Sequence, residues 1–227
     1  MPESHILKYH KYVSAFTKEF GLDYTSLEED YVGKAISVGV YPDVSYLLYK
    51  IVESYIVNNI VEIGSGMSTC VISTAIDRTE KEFTTIESST DWAVLVREVL
   101  EKRNIRIPNI VCTYEMRSPP LLRDNVDFMF IDGCVMINDH GTIDRIDSCL
   151  HYSYILPNAV IAFDDAQSFP HEISRWLNLF PDSENRKGIW YNPQQRDDRQ
   201  IYISIPHSKL GIEQIINECV AVASKEV

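Results

Sequence analysis

"IVEIGSGMSTCV", residues 60–71, sets two glycines between two apolar runs. Ile60, Val61 and Ile63 are β-branched and suit a buried strand. Gly64 and Gly66 allow close approach of the backbone to a ligand and angles closed to other residues. Ser68 and Thr69 can open the next helix, since their hydroxyls satisfy its free N–H groups. In an open α/β sheet, ligands sit beyond the carboxyl ends of strands, where this turn falls.

Working outward, the same texture repeats. Strands are predicted at 59–64, 82–87, 109–114, 126–132 and 158–164. Helical stretches lie between them, including "TDWAVLVREVLEKRN", where Trp92, Leu95, Val96, Val99 and Leu100 share a face. Alternating buried strands and helices predict a parallel sheet covered on both faces. Towards the end, "KGIWYN" and "RQIYISI" read as a hairpin joined by "PQQRDD", followed by a helix from Gly211. Before the first strand the chain reads as helical. Ile6, Tyr9, Val13, Phe16 and Phe20 form one stripe capped by Gly21, and a second helix starts at Pro42. The fold class is therefore α/β, a Rossmann-like doubly wound sheet, mostly parallel with a C-terminal β-hairpin and an N-terminal helical extension. The expected division is a helical extension over residues 1–56 and a ligand-binding domain over 57–227.

Composition narrows the partners. The 227 residues carry a formal charge of −12, which repels phosphate backbones and anionic membranes, so no nucleic acid and no membrane partner is expected. Five dispersed cysteines without a CxxC pair suit a reducing compartment and no structural zinc. The N-terminal stretch lacks a signal-peptide apolar core, and no run approaches the length of a membrane span. A cytoplasmic location is the expectation.

Two chemistries compete for the glycine turn. A dinucleotide fold wants GxGxxG with pyrophosphate at the helix N-terminus, but the third position here is Thr69. Glu62, two residues before the first glycine, would repel a pyrophosphate. It would suit the cationic amino-acid end of S-adenosylmethionine. Glu87 ends the second strand, where a carboxylate can accept both ribose hydroxyls of an adenosine in either fold.

Taken together, "VEIGSGMST", "TTIESSTDW", "VDFMFIDG" and "AVIAFDD" resemble the class I S-adenosylmethionine-dependent methyltransferases. The resemblance runs from about Val57 to Ile205 and is greatest to the small O-methyltransferases related to catechol O-methyltransferase and to antibiotic and sugar O-methyltransferases. It implies a seven-stranded sheet whose last two strands form a hairpin. It also places Glu62, Gly64 and Gly66 around the methionine end, Glu87 at the ribose, and Asp132 after the fourth strand. Ser65, Ser68 and Ser88 flank these positions as candidate cofactor neighbours; helix initiation is the other role open to Ser65 and Ser68. Residues Tyr114 to Met116 should lie near the adenine but match no sharp motif.

Asp132 ends the fourth strand, and Asp164 and Asp165 end the fifth. Three hard oxygen ligands beside a methyl donor suit Mg²⁺, or Mn²⁺ or Ca²⁺. Such a cation lowers the pKa of an attacking hydroxyl and fixes its angle. Catechol-type enzymes similarly carry an aspartate after the fourth strand and an Asp-Asn pair after the fifth; here the pair is Asp-Asp. They also place a lysine base soon after the first aspartate, and "DGCVMINDHG" has none. Related antibiotic enzymes often have a histidine in this loop, which makes His140 the candidate base, with a solvated loop histidine as the alternative.

The resulting expectation is a methyltransferase acting on a small-molecule hydroxyl of a secondary metabolite, sugar or aromatic compound. A nicotinamide-dependent oxidoreductase and a non-catalytic binding protein are the alternatives. The N-terminal helices have two uses open to them, covering the sheet or mating with another copy in a homo-oligomer.

Overall fold

The computed structural model describes residues 3–31, 40–112, 126–133, 158–180, 185–193 and 200–224. Three helices come first: α1 (Glu3–Phe20), α2 (Tyr24–Tyr31) and α3 (Pro42–Glu53). Strand β1 (Asn59–Ile63) leads through the glycine turn into α4 (Met67–Ile76), then β2 (Glu82–Glu87), α5 (Thr90–Lys102) and β3 (Asn109–Cys112). β4 (Phe128–Ile131), β5 (Val160–Phe163) and α6 (Pro170–Leu179) follow. The hairpin β6 (Arg186–Tyr191) and β7 (Ile201–Pro206) and the last helix α7 (Gly211–Val222) complete the order.

The seven strands form one sheet in the order β3-β2-β1-β4-β5-β7-β6. All described pairings are parallel except those of β7, which runs antiparallel to both β5 and β6. The order reverses at β1, so the loops after β1 and β4 diverge there and leave a crevice at the strands' carboxyl ends.

Strand residues alternate between two apolar layers. Ile60, Phe83, Phe128, Phe130, Val160 and Ile203 face a core shared with α1, α3, α4, α5 and α7. Val61, Ile63, Met129, Ile161 and Phe163 face a second core completed by Ile173 and Trp176 of α6. The layers sit on opposite faces because side chains alternate along a strand. Among the described residues no helix is long and apolar enough to cross a membrane.

One detail of the helices differs from the sequence reading. The buried stripe of α1 is centred on Tyr12 and Phe16, both fully buried, whereas Ile6 is 43% exposed. Tyr12 reaches this position because its hydroxyl donates to the Cys219 carbonyl of α7 at 2.8 Å, which satisfies the polar end of an otherwise apolar ring. Helix α6 is opened by Pro170, and Phe169 occupies its N-cap without a side-chain bond. Gly21 does end α1, at φ +69° with its N–H on the Thr17 carbonyl.

Candidate active site

The site is built at the switch point, where Gly64–Gly66 pass from β1 into α4. Gly64 has φ +87°, and a β-carbon there would lie 2.0 Å from the Asp132 carbonyl oxygen. Only glycine lets the two strand ends close up in this way. The contact is reinforced when the Asp132 N–H donates to the Ile63 carbonyl at 2.9 Å and the Asp164 N–H donates to Ile131 at 2.9 Å. The ends of β1, β4 and β5 thereby form one ledge carrying Asp132 and Asp164 next to each other in register.

Gly66 differs. A β-carbon there would meet only Trp92 Nε1, at 3.9 Å. No backbone crowds this position, which a close-lying ligand requires.

Every N–H of the turn is already committed to a protein acceptor. Gly64 N–H donates to the Ile86 carbonyl at 2.8 Å. Ser65 N–H and Oγ–H both donate to Glu87 Oε2, at 2.8 and 2.9 Å. Gly66 N–H donates to Thr69 Oγ1 at 2.8 Å, and that hydroxyl donates onward to Glu62 Oε2 at 2.6 Å. The carbonyls are held as well: Trp92 Nε1–H donates to Ser65 O, and the Tyr31 hydroxyl donates to Gly66 O. A phosphate cradle works by presenting free N–H groups to an anion. Here the three successive N–H groups turn inward, two of them onto carboxylate-bound partners.

The two acidic side chains stand behind the turn. Glu62 is wholly buried beneath the turn and pairs in register with Thr85 of β2. Burial pushes its pKa up to about 8, the nearby Asp132 charge pushes the same way, and the hydroxyls of Ser68, Thr69 and Thr85 oppose the rise. Its Oε1 is buried with no hydrogen bond among the described residues, an acceptor without a donor. Glu87 ends β2 and is 6% exposed; its Oε1 accepts from Ser89 N–H at 2.8 Å and Ser88 Oγ at 3.3 Å. Ser68 is buried at the first turn of α4.

The sequence-predicted residues Glu62, Gly64, Ser65, Gly66, Ser68, Glu87, Ser88 and Asp132 thus come together around one turn. Asp164 is buried beside Asp132, and Asp165 follows in a left-handed turn at φ +50°. Among the described residues no group of three His, Cys, Asp or Glu side chains is arranged to hold a metal ion. His140 and Tyr114–Met116 lie outside the described residues. Two aromatic residues complete the turn. Trp92 was placed on the packing face of α5 and instead also reaches the turn through its indole nitrogen. Tyr31, from the helical extension, closes the other side, its ring 5.8 Å from that of Trp92. A cavity of about 400 Å³ lined by Asn59, Thr84, Arg106 and Asn109 lies at the opposite, amino end of β1–β3, away from this chemistry.

Comparison with known families agrees with this geometry. Residues 61–166, from β1 to just past Asp165, match a family described as a methyltransferase domain. This stretch is similar to a methyltransferase domain. The fold of the chain is similar to that of several solved structures. An O-methyltransferase from Bacillus cereus, solved in complex with SAH, is 16% identical over 85% of this chain and 96% of its own, with a TM-score of 0.59. The O-methyltransferase TomG from Streptomyces achromogenes, involved in tomaymycin synthesis and solved with SAM, is 15% identical over 90% and 99%, with a TM-score of 0.59. The SAH-bound Podospora anserina methyltransferase PaMTH1 is 12% identical over 91% and 88%, with a TM-score of 0.54. At these identities the likeness is one of fold. Comparison with curated proteins finds no match. Helices α1–α3 lie outside the matched methyltransferase domain.

Proposed function

We propose that this chain is an S-adenosylmethionine-dependent O-methyltransferase acting on a hydroxyl of a small molecule. The observation that carries the reading is the turn: its N–H groups face inward and two buried carboxylates, Glu62 and Glu87, stand behind it. That electrostatic arrangement opposes a pyrophosphate and suits a ligand with a cationic amino-acid end and a ribose. The orphaned Glu62 Oε1 and the uncrowded backbone at Gly66 fit such a group. The nicotinamide alternative needs the N–H groups that the turn has withdrawn.

In this reading Glu87 accepts from the ribose hydroxyls as well as from Ser65, so the turn and the sugar share one anchor. Glu62 sets the turn from below through Thr69; burial favours its protonated form, and a cationic amino-acid end would draw it towards the charged one. The bound cofactor supplies an electrophilic methyl group on a sulfonium. Asp132, held against Gly64, faces the position from which an acceptor approaches, and alignment of the acceptor oxygen supplies much of the acceleration. Transfer would form a bond from the acceptor oxygen to the methyl carbon and break the methyl's bond to sulfur, leaving a neutral thioether; the hydroxyl proton must also leave, and His140 is our candidate to take it.

We extend the reading to a divalent cation. Mg²⁺ is commonly held by only one or two carboxylates, with waters and substrate oxygens completing its shell. Asp132 and Asp164, adjacent in register with hard oxygen donors, would hold it, with Asp165 beside them. Its chemistry there would be to lower the pKa of the acceptor hydroxyl.

Calorimetry with SAH and with NAD(P)⁺ tests the reading. Binding of SAH is expected; binding of NAD(P)⁺ in its place overturns it. Turnover is then sought with labelled methyl donor against a panel of phenols, sugars and other hydroxyl compounds.

A further inference from the structure

Tyr31 is the last residue of α2, a helix outside the matched methyltransferase domain, yet its hydroxyl lies inside the cofactor turn. It is 5% exposed and touches two groups: Gly66 O at 3.3 Å and Cys70 Sγ, on α4, at 3.1 Å. A phenol has one proton and a carbonyl can only accept, so the polarity is fixed. Tyr31 O–H donates to Gly66, and the Cys70 S–H must then be the donor to the Tyr31 oxygen. Burial keeps both groups protonated: the Cys70 thiol is pushed up to about 12 and the Tyr31 phenol well above its usual value.

The helix is also anchored at a distance. Asp30, next to Tyr31, binds Lys102 Nζ at 2.5 Å and Arg103 Nε at 2.6 Å, at the C-terminal end of α5. The other end of α5 carries Trp92, which holds Ser65 O. Helices α2 and α5 therefore grip consecutive carbonyls of the same turn and are tied to each other. Gly66 is the residue that no backbone crowds, and the orientation of its peptide plane decides what a ligand meets there.

We propose that Tyr31 is a positioning residue for the cofactor, acting through the chain Cys70 S–H to Tyr31 O–H to Gly66 carbonyl. The helical extension is then a working part of the cofactor site, and the matched domain alone is incomplete. The inference rests on S-adenosylmethionine binding at this turn.

The test is calorimetric titration of SAH into the full chain and its variants, with thermal unfolding of each variant without ligand. Tyr31→Phe keeps the ring and removes the donor; its SAH affinity should fall about five- to tenfold, the effect of one buried hydrogen bond. Cys70→Ala should weaken binding in the same direction. Cys70→Ser, which restores a donor to the Tyr31 oxygen, should recover most of the loss, and rescue of this kind is not expected from a merely structural role. If Tyr31→Phe does not fold, Asp30→Asn, which unties α2 from α5 away from the turn, should show the weakened binding. Wild-type affinity in folded Tyr31→Phe would overturn the inference alone. So would wild-type affinity in folded Asp30→Asn, or equal weakening in Cys70→Ala and Cys70→Ser. Failure of the wild type to bind SAH would overturn the functional reading with it.

Discussion

Gly64 and Asp132 meet backbone to backbone, so closely that a β-carbon on Gly64 would sit 2.0 Å from the Asp132 carbonyl oxygen. Gly66, two residues on, has no such neighbour. The two glycines should therefore fail in different ways. Gly64→Ala combines a clash with a left-handed φ and should destabilise the fold by about 3 kcal/mol or more. Gly66→Ala should unfold within about 0.5 kcal/mol of wild type, as substitutions without a packing penalty do. It should nevertheless lose SAH affinity, because its new methyl group enters the space a ligand would take. Thermal melts and calorimetry of the pair check this; a destabilised Gly66→Ala would contradict it.

Glu62 gives a pH signature. Its folded pKa, about 8, lies above the ordinary carboxyl value of 4.5. A raised pKa stabilises the fold while the group is protonated. That contribution is full below pH 4.5 and fades as pH rises through 8. Glu62→Gln mimics the protonated form, so its stability relative to wild type should increase steadily over this window. Its SAH affinity should fall most above pH 8, where the wild-type carboxylate is charged and glutamine cannot be. Denaturant melts between pH 5 and 9 decide; a constant difference would show that Glu62 is not the titrating group.

Asp127 behaves in the opposite sense. Burial pulls its pKa up, but the hydrogen bond from Lys209 and the N–H groups of Asn59 and Asn58 outweigh it and hold the carboxyl below its usual range. A depressed pKa stabilises above pH 3.8 and the contribution is lost as pH falls through the folded value. Asp127→Asn should therefore lower stability at pH 7 by about 1 kcal/mol, a figure reduced for partial exposure. The difference should close in acid. Melts at pH 7 and pH 3 measure it.

Asp164 tests the cation. If Asp132 and Asp164 hold Mg²⁺ at the acceptor, EDTA should slow methyl transfer and added Mg²⁺ should restore it. In Asp164→Ala the restoration should vanish, with transfer down about 100-fold and SAH affinity retained. Full transfer in EDTA would remove the metal from the mechanism.

The sheet was legible because its strands are short β-branched runs cut by helices with sharp apolar spacing. The segment 82–87 coincides with β2, 59–64 overruns β1 by its last residue, and the described part of 109–114 coincides with β3. The hairpin was legible from its change of rhythm. Helix α2 was harder to see, since "YTSLEEDY" offers only Tyr24, Leu27 and Tyr31 as an apolar edge among acids. Glu62 and Glu87 stood out as charges at strand ends, where a carboxylate needs a reason. Their bonds to Thr69 and Ser65 did not, because these depend on how the turn folds back over the sheet. Trp92 carried a usable signal: an indole in the first turn of a helix beside a ligand loop needs an acceptor for its N–H. Tyr31 belongs to the aromatic-rich N-terminal part, but its bond to the turn was not legible, because it lies 35 residues before Gly66 and packing alone brings them together.

The bond from Tyr12 to the Cys219 carbonyl joins residues near opposite ends of the sequence, and Lys11 adds a second by reaching Ala223. Helix α1 also packs on α2 through the rings of Phe16 and Tyr24. During synthesis on the ribosome, α1 and α2 emerge first but wait for α7 before their layer can close. Contacts this distant in sequence form late. The sheet and its glycine turn can assemble earlier, but the grip of Tyr31 on that turn follows the arrival of the last helix. A nascent chain halted before α7 should therefore hold its methyl donor loosely, and competence to bind would mark the completed chain.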